Sequence, residues 1–392
     1  MANNNDKKVL NVLALRFPEF SGEWKSKFIN DLASVVGGGT PDTSVKSYWD
    51  GNIQWFTPSE IGKNKYVDSS LRTITEEGLN NSSAKLLPPH TILLSSRATV
   101  GECSLSLKEC ATNQGFQSLI AQSCDTNFLY YLIQTKKKDL IRKACGSTFL
   151  EISANEVRKI QVKIPYDNEQ KKIADFLSLI DERIFTQNKI IEDLKKLKSA
   201  IIHRCYSSQI NMVSLSELIK QCSERNHSGM DLQVLSVSNK HGFIAQSEQF
   251  EDREVASDDT SNYKVVKKDM FAYNPARINV GSIALYEMDN NGIVSPMYVC
   301  FTTKSKLSPN YLKHYYTSQA FRHEMHKRLE GSVRLCLTFE GLCNIEIPLP
   351  SIDQQENIGK YLSKIDNKIS LEENVLSQYQ MQRSYLLSEM FI

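Results

Sequence analysis

The chain has 392 residues, 41% hydrophobic and 23% charged, with a formal net charge of +2. This is the make-up of a soluble folded protein with room for two domains, and it excludes a disordered or collagen-like chain. No stretch approaches 18 consecutive apolar residues and the opening residues 1–8 are polar, so neither a membrane-spanning helix nor a secretory signal is expected.

Residues 1–16 read as a polar tail. A short capped helix is expected over 27–36, and Gly37-Gly38-Gly39-Thr40-Pro41-Asp42 then opens a loop. Ile53–Phe56, Thr91–Leu94 and Gln117–Ile120 read as strands, and 126–144 as helix. Residues 17–164 thus form a first globular domain. Pro165 suits the approach to a helix that Asp167 or Asn168 can cap, and one long helix is expected over 165–208. The second globular domain, 209–349, repeats the order, with strands near 232–238, 265–273, 280–286 and 293–302 and a helix over 309–329. A second long helix fills 350–392. Strands first and a helix late place both domains in the α+β class, with largely antiparallel sheets.

The duplication is explicit. Residues 146–207 overlie 331–392 without a gap, and 13 of the 62 aligned residues are identical. Gly146-Ser147 matches Gly331-Ser332, Pro165 matches Pro350, and Gln170, Ser178 and Asp181 match Gln355, Ser363 and Asp366. Upstream the offset drifts: Asn127-Phe128-Leu129 echoes Asn310-Tyr311-Leu312, and Arg97 and Gly101 are spaced like Arg277 and Gly281. The domains therefore differ by loop insertions and the helices do not.

Both helices carry apolar residues at alternating four- and three-residue steps. The first has Ile173, Leu177, Ile180, Ile184, Ile191, Leu194 and Ile201; the second has Ile358, Leu362, Ile365, Ile369, Leu376, Tyr379 and Leu386. A 3.5-residue period predicts an antiparallel coiled coil between them, or else each helix packing on its own domain. Polar residues break the seam at the same register in both copies, Gln187 with Glu372 and Lys198 with Arg383. They are candidates for fixing the register, with Gln187 opposite Glu372 at full overlap; otherwise they are solvated seam positions. A seam over 173–201 is roughly 43 Å long at 1.5 Å per residue, or about 13 base pairs of B-DNA.

Enzyme signatures are absent. The nine cysteines are scattered without a C-x-x-C, which suits reduced thiols. His323 and His326 have no further ligands to complete a metal site. Gly37-Gly38-Gly39-Thr40 lacks the Lys-Ser/Thr of a phosphate loop, and it is expected to follow a helix, where an adenosyl-cofactor loop follows a strand. Asn274-Pro275-Ala276-Arg277 lacks the aromatic that would hold a flipped base. Pro41-Asp42 and Glu60-Ile61-Gly62 miss the lysine of a nuclease metal site.

Several stretches resemble the specificity subunits of type I restriction-modification systems. They are Leu15-Arg16-Phe17-Pro18-Glu19-Phe20-Ser21-Gly22-Glu23-Trp24, Gly38-Gly39-Thr40-Pro41 with Tyr48-Trp49-Asp50-Gly51-Asn52-Ile53, and Ser96-Arg97-Ala98-Thr99-Val100-Gly101 with Thr112-Asn113-Gln114-Gly115-Phe116. The helix starts Ile164-Pro165…Glu169-Gln170 and Leu349-Pro350…Gln354-Gln355 complete the set. The resemblance covers nearly the whole chain. It implies two target recognition domains that each read half of a split site in double-stranded DNA, held by an antiparallel coiled coil that docks two methyltransferase subunits. It further implies a non-catalytic chain that binds no cofactor. S-adenosylmethionine would sit on the methyltransferase partners, and ATP and Mg on restriction–translocation partners, all in a bacterial or archaeal cytoplasm.

Base readout needs Arg, Lys, Asn or Gln, and phosphate grip needs cations or loop amides. The candidates in the first domain are Gln54, Ser59, Lys63, Lys65, Arg97, Asn113 and Gln114. In the second they are Asn239, Lys240, Asn274, Arg277, Asn279 and Ser295. Arg97 and Arg277 lead because both copies place them near a glycine; the rival reading of each is an intradomain ion pair. Lys195, Lys196 and Lys198 form a basic run that is either a solvated face or a contact for DNA or a partner. The alternative functions are a stand-alone nuclease or methyltransferase and a coiled-coil protein-binding scaffold.

Overall fold

The computed structural model describes residues 15–146, 150–207, 211–227, 232–249, 259–331 and 334–391. Ser147 and Ser332 of the matched Gly-Ser pairs and residues 1–14 of the polar tail lie outside them. The chain divides into two compact units, residues 1–189 with 374–392 and residues 190–373. Each unit contains one globular domain and a stretch of both long helices.

In the first unit a five-stranded sheet has the order Ala33–Gly37, Gln117–Ala121, Ile92–Leu94, Cys103–Ser106, Tyr66–Val67. The first four strands pair antiparallel and the last is parallel. A smaller sheet has the order Arg72–Ile74, Trp49–Phe56, Cys110–Thr112, and a ribbon joins Lys25–Phe28 to Gln161–Ile164. Helices Thr126–Thr135 and Lys137–Lys143 follow. The core packs Ile29, Leu94, Leu119 and Phe128 with Ile173, Leu177 and Leu386 of the long helices and with Phe391 just beyond the second.

The helix expected over 27–36 is a correction. Only Ile29–Leu32 is helical, and Ala33–Gly37 is a strand. Val35 and Val36 are β-branched and sit on a pleat paired to Leu119 and Ser118, so sheet pairing decides a segment whose local pattern also suits a helix.

In the second unit the order Ile219–Cys222, Val299–Thr303, Met270–Tyr273, Ile283–Leu285 is antiparallel throughout. It reproduces the first four strands of the other domain. The second sheet, Gly242–Ala245, Val234–Ser238, Gly292–Val294, Lys264–Val266, repeats the strand order and pairing directions of the first domain's smaller sheet in its first three strands and adds Lys264–Val266 at one edge. The duplicated part thus covers the four-stranded core and three strands beside it, and the divergent parts are the edge strands Tyr66–Val67 and Lys264–Val266 and the loops. The strand expected over 280–286 begins only at Ile283, because Ile278–Val280 forms a 3-10 turn that Gly281 ends at φ +96°. The helix expected over 309–329 is two, Pro309–Tyr315 and Gln319–His326, with Ser318 capping the second.

The long helices run from Asp167 to Tyr206 and from Ile352 to Glu389. In the second unit Lys195 meets Glu373 at 2.6 Å and Lys198 meets Asp366 at 2.5 Å, so the two stretches are antiparallel there. In the first unit Arg383 meets Asp181 at 2.5 Å. At the start of the first helix, buried Glu169 takes Arg16 Nε at 2.8 Å and Trp24 Nε1 at 3.4 Å. This ties the 15–24 stretch to the helix. Among the described residues no helix is long and apolar enough to cross a membrane.

Candidate nucleic-acid interface

In the first domain the glycine-rich loop leaves a strand, not a helix, and no α-helix opens after it; a 3-10 turn at Lys46–Tyr48 comes next. The expectation that this loop follows a helix is therefore corrected. The glycines serve backbone contact. Gly39 N donates to Thr112 O at 2.8 Å, Trp55 Nε1 donates to Gly39 O at 2.9 Å, and a Cβ on Gly38 would lie 2.1 Å from Asn113 O. Thr40 Oγ1 donates to Gln114 Oε1 at 2.5 Å.

Four candidates meet around this loop. Ser96 N donates to Gly115 O at 2.8 Å, which sets Arg97 beside Asn113-Gln114-Gly115, and Pro58 packs on Gly115 next to exposed Ser59. Asn113 Oδ1 accepts from Gly115 N at 2.8 Å, so its carboxamide shapes the turn. Arg97 pairs with Glu151 at 2.6 Å, the rival reading; with the two side chains 42% and 39% exposed, the pair leaves the guanidinium within reach of solvent.

The other three lie elsewhere. Gln54 Oε1 accepts from Ser70 N at 2.7 Å, which occupies it inside the domain. Lys63 is exposed. Lys65 is engaged inside its own unit. Its amine donates to Ser178 Oγ at 2.7 Å and Tyr131 Oη at 3.2 Å and lies over the rings of Tyr66, Tyr130 and Tyr131. Burial pushes its pKa down to about 8. It lines a cavity of about 750 Å³ with Tyr130, Asp181, Phe185 and Arg383.

The second domain brings its candidates to the matching end of the core. Arg277 and Asn279 are exposed on the turn that follows strand Met270–Tyr273, as Arg97 follows Ile92–Leu94. Asn239 and Lys240 occupy the hairpin tip beside them: a Cβ on Gly281 would lie 3.5 Å from Asn239 Cβ, and Ser282 Oγ donates to Val237 O at 2.8 Å. Asn274 Oδ1 accepts from Ala276 N at 3.0 Å, and its Nδ2 reaches Met297 Sδ at 3.7 Å. That contact places the half-buried Ser295 nearby. Unlike Arg97, Arg277 has no side-chain partner among the described residues.

The helix candidates divide. Lys198 and Arg383 are engaged by Asp366 and Asp181. Glu372 pairs with Lys368 on its own helix, and Gln187 is buried. Lys195 and Lys196 pair with Glu373 and Glu192, so the basic run is met by acids throughout. His323 and His326 are exposed, and no group of three metal-ligating side chains occurs among the described residues.

Sequence reasoning missed two residues, Tyr131 and His314. Tyr131 Oη donates to Asp181 Oδ2 at 2.6 Å; His314 lies 3.8 Å from Asp366 Oδ2 and 3.2 Å from Ser363 Oγ. Burial, with Lys198 beside it, pushes the His314 pKa down to about 4. The signal available was that Ser178 and Asp181 recur as Ser363 and Asp366: polar identities on a helix flank imply partners.

The specificity subunit of the type I restriction enzyme MjaIX of Methanocaldococcus jannaschii is 37% identical over 180 residues, 45% of this chain and 42% of that protein. That of EcoR124I/EcoR124II of Escherichia coli is 30% identical over 175 residues, 43% of each. These two alignments therefore span less than half the length of the relatives. The MjaVIII specificity subunit of M. jannaschii aligns over 412 positions at 22% identity, covering 95% of this chain and 92% of that one. Among solved structures, the type I restriction-modification S subunit of M. genitalium superposes with a TM-score of 0.63 at 18% identity, over 97% of this chain and 99% of that one. That likeness concerns the fold. The model of the type I restriction modification DNA specificity domain matches residues 21–196 and 243–379, most of both halves, and the chain belongs to that family.

Proposed function

We propose that this chain reads a split sequence in double-stranded DNA, one half-site per domain, and directs adenine-N6 methylation and restriction by partner subunits. One observation carries the reading. Two domains with the same core strands in the same order place Arg97 and Arg277 at equivalent turns, while each adds an edge strand the other lacks, Tyr66–Val67 in the first and Lys264–Val266 in the second, and the loops between strands differ in length. A shared frame with divergent tips suits two readers of different half-sites.

The contacts we assign are Ser59, Lys63, Arg97, Asn113 and Gln114 in the first domain and Asn239, Lys240, Asn274, Arg277, Asn279 and Ser295 in the second. Two methyltransferase subunits, carrying S-adenosylmethionine, would dock on the helices. Restriction subunits would supply ATP- and Mg-dependent translocation and cleavage in a bacterial or archaeal cytoplasm. The chain itself holds no cofactor in this reading.

The test is modular. The chain is combined with its methyltransferase subunit, and methylated adenines are mapped genome-wide. Exchanging residues 17–150 for those of a relative should change one half-site and leave the other. Methylation without sequence preference, or a change in both halves at once, defeats the proposal. Adenosyl-cofactor binding by the chain alone would favour a stand-alone enzyme.

A further inference from the structure

We infer that Asp181 and Asp366 are positioning residues that lock each domain onto the helix pair and so set the permitted spacing between half-sites; this rests on the proposed DNA-reading function. The two carboxylates are repeat counterparts, 185 residues apart. Each joins three elements within its own unit. Asp181 lies on the first long helix, takes Arg383 of the second through Oδ1 at 2.5 Å, and takes Tyr131 of the domain helix through Oδ2 at 2.6 Å. Asp366 lies on the second long helix, takes Lys198 of the first through Oδ1 at 2.5 Å, and faces His314 of the domain helix through Oδ2 at 3.8 Å.

The serine one turn earlier adds a second tie in both units. Tyr131 Oη is 3.4 Å from Ser178 Oγ, and His314 Nε2 is 3.2 Å from Ser363 Oγ. Lys198 and Arg383 are themselves repeat counterparts, so a single three-way junction has been built twice with altered side chains. A carboxylate that bonds two other elements through different oxygens, as Asp181 does, restrains both sliding and rotation between them; in the second unit Asp366 bonds the first helix, and the hydrogen-bonded arm to the domain helix is Ser363 with His314 Nε2 at 3.2 Å. Charge-assisted bonds in a partly dry site are short and directional enough for that purpose.

The copies are unequal. Arg383 also donates through Nη2 to Gln134 Oε1 at 2.8 Å, and Lys65 donates to Ser178 Oγ at 2.7 Å. In the second unit the carboxylate's arm to the domain is the long 3.8 Å contact. The first domain is therefore the more firmly held, and loss of its junction should matter more.

The experiment uses the full chain with its methyltransferase subunit and DNA substrates whose half-sites are separated by a series of base-pair counts. Wild type should favour one spacing. In D181N that preference over neighbouring spacings should fall by about tenfold, with a smaller fall in D366N. The bases required in each half-site should not change. K198D and D366K should each broaden the profile, and the double exchange should restore it. Y131F removes only a hydroxyl and keeps the packing; it should broaden the profile while the melting temperature stays close to wild type. A wild-type spacing profile in Y131F and D366N, or broadened base requirements in either, overturns the inference. Wild type that methylates no split site at any spacing overturns the functional reading and this inference with it.

Discussion

Gln170 accepts from the backbone N–H of Asp125 at 3.0 Å and donates to Pro165 O at 3.0 Å. Its repeat counterpart Gln355 accepts from Ser308 N at 2.9 Å and donates to Pro350 O at 2.9 Å. One buried carboxamide in each copy thus closes the proline entry to a long helix and holds the residue at the N-cap position of the domain helix.

Removing that carboxamide leaves a buried donor and a buried acceptor unpaired. Q170A and Q355A should each destabilise by about 2–4 kcal/mol. Q170E should cost more than Q170A, because a carboxylate cannot donate to Pro165 O and is charged where Gln170 is 1% exposed. Urea unfolding of the three variants decides it; Q170E at least as stable as Q170A would refute the assignment.

Gly38 tests the first candidate interface. Its Cβ would meet backbone oxygen atoms of Asn113 and Thr112 at 2.1 and 2.4 Å, neither of which can swing away as a side chain can. G38A should cost about 1–3 kcal/mol of stability. It should also weaken binding to one half-site while leaving the second domain's bases unchanged. Footprinting of each half-site on one duplex separates the two effects.

The helix seam was legible because its period is local. Ile173, Leu177 and Ile180 are buried at the expected steps. The strand at Ala33–Gly37 was not, because Ile29, Leu32, Val35 and Val36 also fit helical spacing, and the partner that decides the matter lies about 80 residues downstream. Lys65 shows the same limit at the candidate site. A lysine in a polar loop reads alike whether it faces DNA or a cage of three tyrosines, and only the placement of Tyr130 and Tyr131 distinguishes them. Asp181 was visible as a repeat identity, but its partners are 50 and 202 residues away.

Arg277 and Arg97 should respond differently to truncation. Arg277 is free to approach DNA, so R277A should weaken specific binding by about 1–3 kcal/mol and, if it contacts phosphate, lower the salt slope by about 1. Arg97 must first leave Glu151, so R97A should cost less, and E151Q should tighten binding by releasing the guanidinium. Titration of the assembled methyltransferase against salt measures all three. Equal losses in R97A and R277A, with E151Q silent, would show that the Glu151 pair does not compete with DNA.

His314 makes the second unit acid-sensitive. Burial beside Lys198 holds its pKa near 4, against 6.5 for an ordinary histidine; Asp366 opposes the shift, and Lys313 reinforces it. Below pH 6.5 the unfolded chain binds a proton that folded His314 refuses. Stability is therefore lost as pH falls from 6.5 towards 4, at about 1.4 kcal/mol per unit and roughly 3 kcal/mol in all. Carboxylates held low, such as Glu324 beside Lys327 and Arg328, add their own acid loss, so wild type alone cannot isolate the histidine. H314Q keeps a group able to bond Ser363 Oγ but does not titrate. The stability difference between wild type and H314Q should therefore shift against wild type by most of that amount between pH 7 and pH 4.5. Parallel stability curves for the two proteins would mean that His314 protonates as readily folded as unfolded.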